Sequence, residues 1–241
     1  LTWTVLRYVS PSPPRSLTMA TGAADGAYHQ FGLKYQAVLK EHGVTLVLEP
    51  SSGSVENLAR LNAGSVSAGF VQGGLGLLSL DPLKNGEDTP LRSLANVAFE
   101  PVWIFSRKLD LSTGLARLAG KRIAIGAPGS GNQKVALELL TTYGVADAQG
   151  RATGTTQLVN EGGVAAATRL QAGELDAVIL VAAPQAAAIS QLLADESLEL
   201  ASLRHVEGLS RRFPYFQPVS LKRGSINPQR NFPAKDIAMV A

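Results

Sequence analysis

Three glycine-rich turns combine the residue types that can bind a small anion. They span residues 21–26, 51–54 and 128–132, and each precedes a stretch with the periodicity of a helix. Glycine allows the backbone to approach a ligand closely, and the second and third turns add serine hydroxyls. The first turn of a helix leaves its N–H groups without intrahelical partners, and the helix dipole attracts negative charge there. The three turns together predict an anion-binding site.

Helix capping is the alternative interpretation of the serines in these turns. Ser130 and Gln133 have the Ser-x-x-Gln spacing of a capping box, and Ser52 or Ser54 could cap the helix that follows them. A cap uses only one or two of the free donors, so capping and ligand binding are compatible. For a single serine the pattern favours a cap, whereas for the three turns taken together it favours a site.

The residue types needed for catalysis do not form a convincing set. There is no cysteine, and the three histidines have no metal-ligand spacing. Neither a Gly-x-Ser-x-Gly nucleophile motif nor a phosphate-binding loop occurs. Asp25 and Glu161 could act as a general acid and base, but they also fit a helix start and a turn residue or a contact to a ligand ammonium. The sequence therefore predicts a binding protein with neither metal nor cofactor rather than an enzyme.

An internal repeat shows which elements must position these turns. Residues 54–71 read SVENLARLNAGSVSAGFV and residues 163–180 read GVAAATRLQAGELDAVIL, with a constant offset between the matching positions. Each predicts a helix that ends at glycine, Gly64 or Gly173, followed by a short turn and a buried strand. The residues before each match predict a strand, a glycine-rich turn and another helix, so the two halves are built alike.

Strands that alternate with helices predict an α/β fold with two lobes of mostly parallel sheet. We expect a linker at residues 1–16, one lobe at 17–101, the other at 102–232, and a return toward the first lobe at 233–241. Further strands are predicted at residues 45–48, 97–106 and 218–221. Ligands of open α/β sheets bind beyond the carboxyl ends of the strands, which places the glycine-rich turns in a cleft between the lobes.

Composition agrees with a folded protein that does not bind nucleic acid. The chain has 241 residues, of which 45% are hydrophobic and 17% are charged, with a net charge of +3. Basic residues occur at most in pairs, without the aromatic-interleaved stripe of a nucleic-acid groove. The first nine residues precede a proline-rich segment and could be the end of a membrane anchor or signal, or simply a disordered terminus. The strand-like run at residues 237–241 leads us to expect further elements beyond it.

Several of these motifs together resemble the TAXI-type solute receptors of tripartite ATP-independent periplasmic (TRAP) transporters. The resemblance covers nearly the whole chain and rests on four groups of residues: Thr21-Gly22 with Gly26-Ala27-Tyr28, residues 53–58 with 61–64, Phe70-Val71-Gln72, and residues 126–131. It implies a type II periplasmic-binding-protein fold, a periplasmic location, a TRAP-type permease as partner and an anionic ligand such as a dicarboxylate or an acidic amino acid.

The resemblance also implies which residues face the ligand. They are Thr21, Gly22, Tyr28, Gly53, Ser54, Val55, Gln72, Ser130, Gly131 and Asn132, and Ser52, Gly73 and Glu161 complete the predicted site. Gln72-Gly73-Gly74 replaces the commoner Gln-Ser-Asp of the family, and Asn132 replaces a threonine. With the proline-rich segment, this variant resembles a membrane-anchored subgroup.

The predicted function is therefore an extracytoplasmic receptor that delivers a small anionic solute to a permease. A ligand-sensing domain of the same fold is one alternative, because its closing movement could be read by a signalling partner. A transferase-like or deaminase-like enzyme on two lobes is another, since a fold does not determine a function.

Overall fold

The first half of the repeat forms a three-stranded parallel sheet. The computed structural model describes residues 14–24, 26–75 and 91–241 of the chain. Its first elements are β1 (Ser16–Ala20), α1 (Ala27–Glu41), β2 (Thr45–Glu49), α2 (Ser54–Asn62) and β3 (Ala68–Gly69). The strand order is β2-β1-β3, and both pairings are parallel. Residues 1–13 of the predicted linker, together with Asp25, lie outside the described residues.

The first strand of the second sheet runs antiparallel to its neighbours. Strand β4 (Val102–Arg107) is followed by a short 3-10 helix (Leu115–Leu118). The prediction began this strand at residue 97, but residues 91–100 have no regular structure, and the side chain of Phe99 is 74% exposed. Regular pairing therefore begins at Val102, where consecutive side chains of the strand become buried on both faces of the sheet.

The second half of the repeat has the same strand order as the first. It comprises β5 (Arg122–Ala124), α3 (Gly131–Thr142), β6 (Gln157–Val159), α4 (Gly163–Gln171) and β7 (Ala177–Val181). Strands β6-β5-β7 pair in parallel, as β2-β1-β3 do. The two halves of the predicted repeat therefore share the same topology, and the strands that follow Gly64 and Gly173, β3 and β7, belong to different sheets.

The remaining elements complete the second lobe. They are α5 (Ala187–Leu193), β8 (Leu198–Leu200), α6 (Val206–Arg212), β9 (Pro218–Leu221) and β10 (Ile237–Val240). Strand β4 pairs antiparallel with β7 on one side and with β8 on the other. Strands β9 and β10 form an antiparallel pair. The predicted fold class, α/β with two lobes and the type II periplasmic-binding-protein architecture, is confirmed.

Two helices end near the glycines that the repeat indicated. Helices α2 and α4 end two residues before Gly64 and Gly173, whose φ angles are +66° and +78°. This left-handed conformation costs little only for glycine, because a Cβ atom would crowd the carbonyl oxygen. The chain therefore reverses into β3 and β7 at equivalent points of the two halves.

The hydrophobic core lies mainly in the second lobe. Alternate residues of β4 face opposite sides of the sheet, so Val102 and Ile104 pack in one cluster and Trp103 and Phe105 in another. The first lobe buries fewer large side chains, mainly Leu46, Leu58, Phe70 and Leu75. The second lobe is therefore the better packed support for the turns that the sequence singled out.

The last strand packs in the same core cluster as β4, because Ile237 and Met239 contact the cluster that contains Trp103. Burial of alternate apolar side chains against β4 explains this placement. The predicted return of residues 233–241 toward the first lobe stays a prediction. The residue boundaries predicted for the two lobes remain predictions. Within the described residues, no helix is long and apolar enough to cross a membrane.

Candidate anion-binding cleft

Two of the predicted glycine-rich turns meet across the two lobes. A Cβ atom at position 53 would lie 3.3 Å from the Cα of Ser130, and one at position 129 would lie 2.9 Å from the Oγ of Ser52. Residues 51–54 lead into α2 and residues 128–130 into α3. Because these glycines carry no side chain, the N-termini of the two helices come into direct contact.

The facing helix ends present N–H groups that have no acceptor. The N–H groups of Ser54, Val55, Gly131 and Asn132 make no hydrogen bond within the described part of the chain. Ser54 and Gly131 are buried, so water does not readily serve these donors. Two positive dipole ends that face one another are unfavourable unless an anion lies near both. The arrangement can therefore hold a carboxylate or a similar group.

Gln72 connects the first lobe to the N-terminus of α3. Its backbone N–H donates to the Ser54 Oγ at 2.9 Å, and its side-chain amide oxygen lies against Gly131. Gly73 is exposed, with nothing within 4 Å of the position that a Cβ would take. Gly74 packs directly against the ring of Tyr215, a second-lobe residue that sequence reasoning missed. Residues 72–74 thus touch the second lobe at two points.

Ser130 caps its helix, as the Ser-x-x-Gln spacing indicated. Its Oγ accepts a hydrogen bond from the Gln133 N–H at 3.1 Å and donates to the Ala127 carbonyl at 2.6 Å. Ser52 and Ser54 do not cap α2, which has no side-chain cap. The Ser130 hydroxyl is therefore used within the turn, and the free donors at this helix end are the backbone N–H groups of Gly131 and Asn132.

The side chain of Asn132 binds backbone groups of its own lobe and does not face the cleft. Its Nδ2 donates to the carbonyls of Ile125 and Ile179 at 2.8 and 2.9 Å, and its Oδ1 accepts from the Val181 N–H at 2.6 Å. The side chain therefore joins the ends of β5 and β7, and a ligand can use only the backbone N–H of this residue. A threonine at this position could not form the same three bonds, because a hydroxyl has a single proton.

Asn57 plays the corresponding part in the first lobe. Its Nδ2 donates to the carbonyls of Thr21 and Phe70, each at 2.7 Å, and its Oδ1 accepts from the Ser51 hydroxyl. These carbonyls follow β1 and β3, and Ser51 belongs to the turn before α2. One buried amide thereby fixes the three loops that end at the cleft, a role that sequence reasoning did not assign.

Tyr28 lies in the first turn of α1 and carries an aromatic contact and a hydrogen bond. Its ring stacks on Phe70 with 5.3 Å between centroids and packs against Gly22, while its hydroxyl donates to the Glu100 Oε2 at 2.7 Å. Burial raises the pKa of Tyr28 well above its ordinary value, and the Glu100 charge raises it further. Thr21 is fully buried beside them, with its Oγ1 3.2 Å from the His29 Nδ1.

Glu100 is the functional candidate that sequence reasoning missed. It precedes Pro101 in the stretch that the pattern assigned to a strand, so nothing local marked it as a cleft residue. Burial raises the pKa of its carboxyl group, and the hydrogen bond from Tyr28 opposes that rise. Only the tertiary contact with α1 brings this carboxylate to the site.

Glu161 has a partner within its own lobe. Its Oε2 accepts from the Arg169 Nη1 at 2.9 Å, and its carbonyl accepts from the Gly126 N–H at 2.8 Å. Arg60, the equivalent of Arg169 in the repeat, likewise pairs with a glutamate of its own lobe, Glu49, at 3.3 Å. This repeated ion pair favours a structural role for Glu161 over an acid–base role. In the residues that the structure covers, no cluster of ligating side chains could hold a metal ion.

Ser52 is tied to α2 by an acidic side chain. Its N–H and hydroxyl both donate to the Glu56 Oε2, at 2.8 and 2.7 Å, and Arg60 pairs with the same carboxylate. Hydrogen bonds from Ser52, with a smaller effect of Arg60, lower the pKa of Glu56 to about 2. The turn 51–54 is therefore held by a carboxylate that stays ionised in mild acid.

Glu56→Gln is expected to remove a part of the stability that depends on pH. Because the folded-state pKa is depressed, the charge stabilises the protein fully above the ordinary value of 4.5, and this stabilisation is lost as the pH falls toward about 2. The carboxylate is 36% exposed, so the difference between parent and variant should stay below about 1 kcal/mol at pH 7. Urea unfolding at pH 7, 4 and 3 measures it. A difference that does not shrink in acid would contradict the assignment.

Comparisons with known proteins agree with this architecture. The sequence model of the NMT1-like family matches residues 19–241. A solved structure of a protein from Bordetella bronchiseptica RB50 has 17% identity and a TM-score of 0.53, covering 94% of this chain and 63% of that one. At this identity the likeness shows the fold alone.

Two sulfonate-binding proteins are also similar in structure. The alkanesulfonate-binding protein SsuA from Xanthomonas axonopodis pv. citri, bound to MOPS, has 21% identity and a TM-score of 0.49, covering 83% of this chain and 63% of that one. The periplasmic aliphatic sulphonate binding protein SsuA from Escherichia coli has 16% identity and a TM-score of 0.49, covering 95% and 62%. The chain thus spans less than two thirds of the length of each of these three proteins.

Proposed function

The chain belongs to the NMT1-like family, and we propose that it is an extracytoplasmic receptor that closes around a small anionic organic solute. The carboxylate of the solute binds between the N-termini of α2 and α3. The two lobes supply one wall each, so the full set of contacts forms only when they meet.

The observation that carries the proposal is the set of free N–H groups at two helix ends in contact. Ser54, Val55, Gly131 and Asn132 offer donors from both lobes toward one place. Hydrogen bonds from such groups to a charged acceptor are worth roughly 1.5–3 kcal/mol each, more than those to neutral acceptors. An anion also relieves the repulsion between the two facing helix dipoles.

The proposed partner is a TRAP-type permease in the membrane, reached from the periplasmic side. This part of the proposal is supported by the motifs that resemble TAXI receptors, among them Thr21-Gly22, residues 53–58 and Phe70-Val71-Gln72. The site residues lie in turns at the carboxyl ends of parallel strands, which is where such receptors would bind a solute.

A proline substitution tests the donors directly, because proline removes one N–H group and is tolerated in the first turn of a helix. Val55 is 42% exposed and second in α2, so Val55→Pro should remain folded and bind acidic solutes about tenfold more weakly or worse. Isothermal titration calorimetry with dicarboxylates and acidic amino acids gives the affinity.

The repeat provides a matched control for this experiment. Val164 occupies the equivalent position of α4, is also 42% exposed, and lies in a helix whose N-terminus contacts Gly126 of its own lobe. Val164→Pro and Val55→Ala should both retain the parental affinity. Normal binding by Val55→Pro, or an equal loss in Val164→Pro, would contradict a site at α2. Failure of the parent protein to bind any acidic solute would contradict the proposed function.

A further inference from the structure

A partly buried carboxylate lies next to the candidate anion site. Glu100 belongs to the irregular segment that precedes β4, and its Oε2 accepts the hydroxyl of Tyr28 at 2.7 Å. Tyr28 packs against Gly22 and stacks on Phe70, whose carbonyl accepts a hydrogen bond from the Asn57 Nδ2 at 2.7 Å. Since Asn57 lies in the first turn of α2, these contacts bring the carboxylate near the helix end that offers free N–H groups.

This carboxylate has no positively charged partner in the part of the chain that the structure describes. The ion pairs found there join other carboxylates to arginines and lysines, and Glu100 receives only the neutral phenol. A partly buried carboxylate with one neutral donor is unfavourable, because part of its hydration is lost and no opposite charge replaces it. Burial accordingly raises the pKa of this group.

An anionic ligand beside Glu100 would make the arrangement worse, because two negative charges in a poorly screened cleft repel each other. A ligand that also carries a positive charge removes this difficulty. Its anion can bind the helix N-termini while its cation faces Glu100, so that each charge meets its complement.

We infer that the solute is zwitterionic, with a protonated amine that binds the Glu100 carboxylate while its anionic group binds the N-termini of α2 and α3. The inference rests on the proposed function and narrows it to a class of ligand. Tyr28 is a positioning residue, because its hydroxyl holds Oε2 and leaves Oε1 to face the amine. An ammonium group has three N–H donors, and the Gln72 side-chain oxygen, which lies against Gly131, is a second acceptor within the same cleft.

Two pairs of probes separate the amine from the rest of the ligand. L-glutamate and glutarate share both carboxylates, and L-leucine and 4-methylpentanoate share the branched chain and one carboxylate; within each pair only the first carries an amine. Calorimetry at pH 7 should show at least one amine-bearing probe binding about tenfold or more tighter than its partner.

Glu100→Gln should bring that ratio close to one, mainly by weakening the amine-bearing probe. Tyr28→Phe should reduce the ratio by a smaller factor, with circular dichroism unchanged. Glu174→Gln removes the same charge from an exposed ion pair with Arg169, at a side chain 58% exposed, and should leave the ratio intact.

Three outcomes would overturn the inference. Equal or tighter binding of the amine-free probe to the parent protein would do so, and would leave the proposed function standing if Val55→Pro still lost that binding. If Glu100→Gln leaves the affinity ratio of the amine-bearing to the amine-free probe unchanged, the amine does not bind this carboxylate. Tighter binding of every anion to Glu100→Gln would mean that Glu100 competes with the solute. Binding of none of the four probes would contradict both proposals.

Discussion

Replacing Gly53 with alanine should weaken solute binding by about a hundredfold while the protein stays folded, equivalent to the loss of about two charged hydrogen bonds. Gly53 has φ +127° and ψ −154°, a backbone conformation that side chains other than hydrogen rarely permit. A Cβ atom would lie 3.3 Å from the Ser130 Cα and 3.4 Å from its Cβ. The added methyl group would hold the two lobes apart at the point where the helix ends meet.

Gly114 is the matched control, because it has nearly the same backbone conformation, with φ +127° and ψ 168°. A Cβ at Gly114 would meet only the Tyr143 ring, at 3.9 Å, near the far end of α3. Gly114→Ala should cost about as much stability as Gly53→Ala, on the order of 1–3 kcal/mol, and leave the affinity unchanged. Equal losses of affinity in the two variants would attribute the effect to backbone strain and count against lobe contact.

Asn132→Leu should lower the free energy of unfolding by about 3 kcal/mol or more. The change leaves the carbonyls of Ile125 and Ile179 and the N–H of Val181 without their side-chain partner. Ile125 and Ile179 are 2% and 0% exposed, so water does not readily replace the amide. An unsatisfied buried group costs roughly 1–3 kcal/mol, which makes several of them a large effect.

Asn62→Leu, at the exposed end of α2, is the control for this substitution. It should change the free energy of unfolding by less than about 0.5 kcal/mol in the same urea titration. Asn132→Leu protein with parental stability would show that other groups satisfy these backbone atoms.

The local pattern of the sequence was sufficient for most of the fold. Glycine marks the ends of α2 and α4, because the chain reverses there through a residue in the left-handed backbone conformation. This pattern can be recognised in the local sequence without knowledge of tertiary contacts. The shared order of elements in the two halves then predicted two parallel sheets. An alternating apolar run such as residues 237–240 shows that a strand is buried but not against which sheet, so the packing of Ile237 and Met239 with Trp103 could not be predicted locally.

The candidate site was predicted less completely, because its side chains act across long distances in the sequence. Ser130 as a cap follows from residues three positions apart, and this prediction is confirmed. The bonds from Asn132 to Ile179 and Val181 and from Tyr28 to Glu100 join residues 47 to 72 positions apart. No local pattern encodes such contacts. Whether the predicted residues bind a ligand remains a prediction that the substitutions above address.

The contact between the two turns also suits this protein to optical sensing. The sequence has no cysteine, so thiols introduced at Val55 and Ala127 would be its only ones and could be labelled selectively. Both positions are exposed and flank the facing turns. Paired dyes at these sites would report the separation of the lobes, and a proximity-dependent signal such as excimer emission would read out the concentration of solute in a mixture.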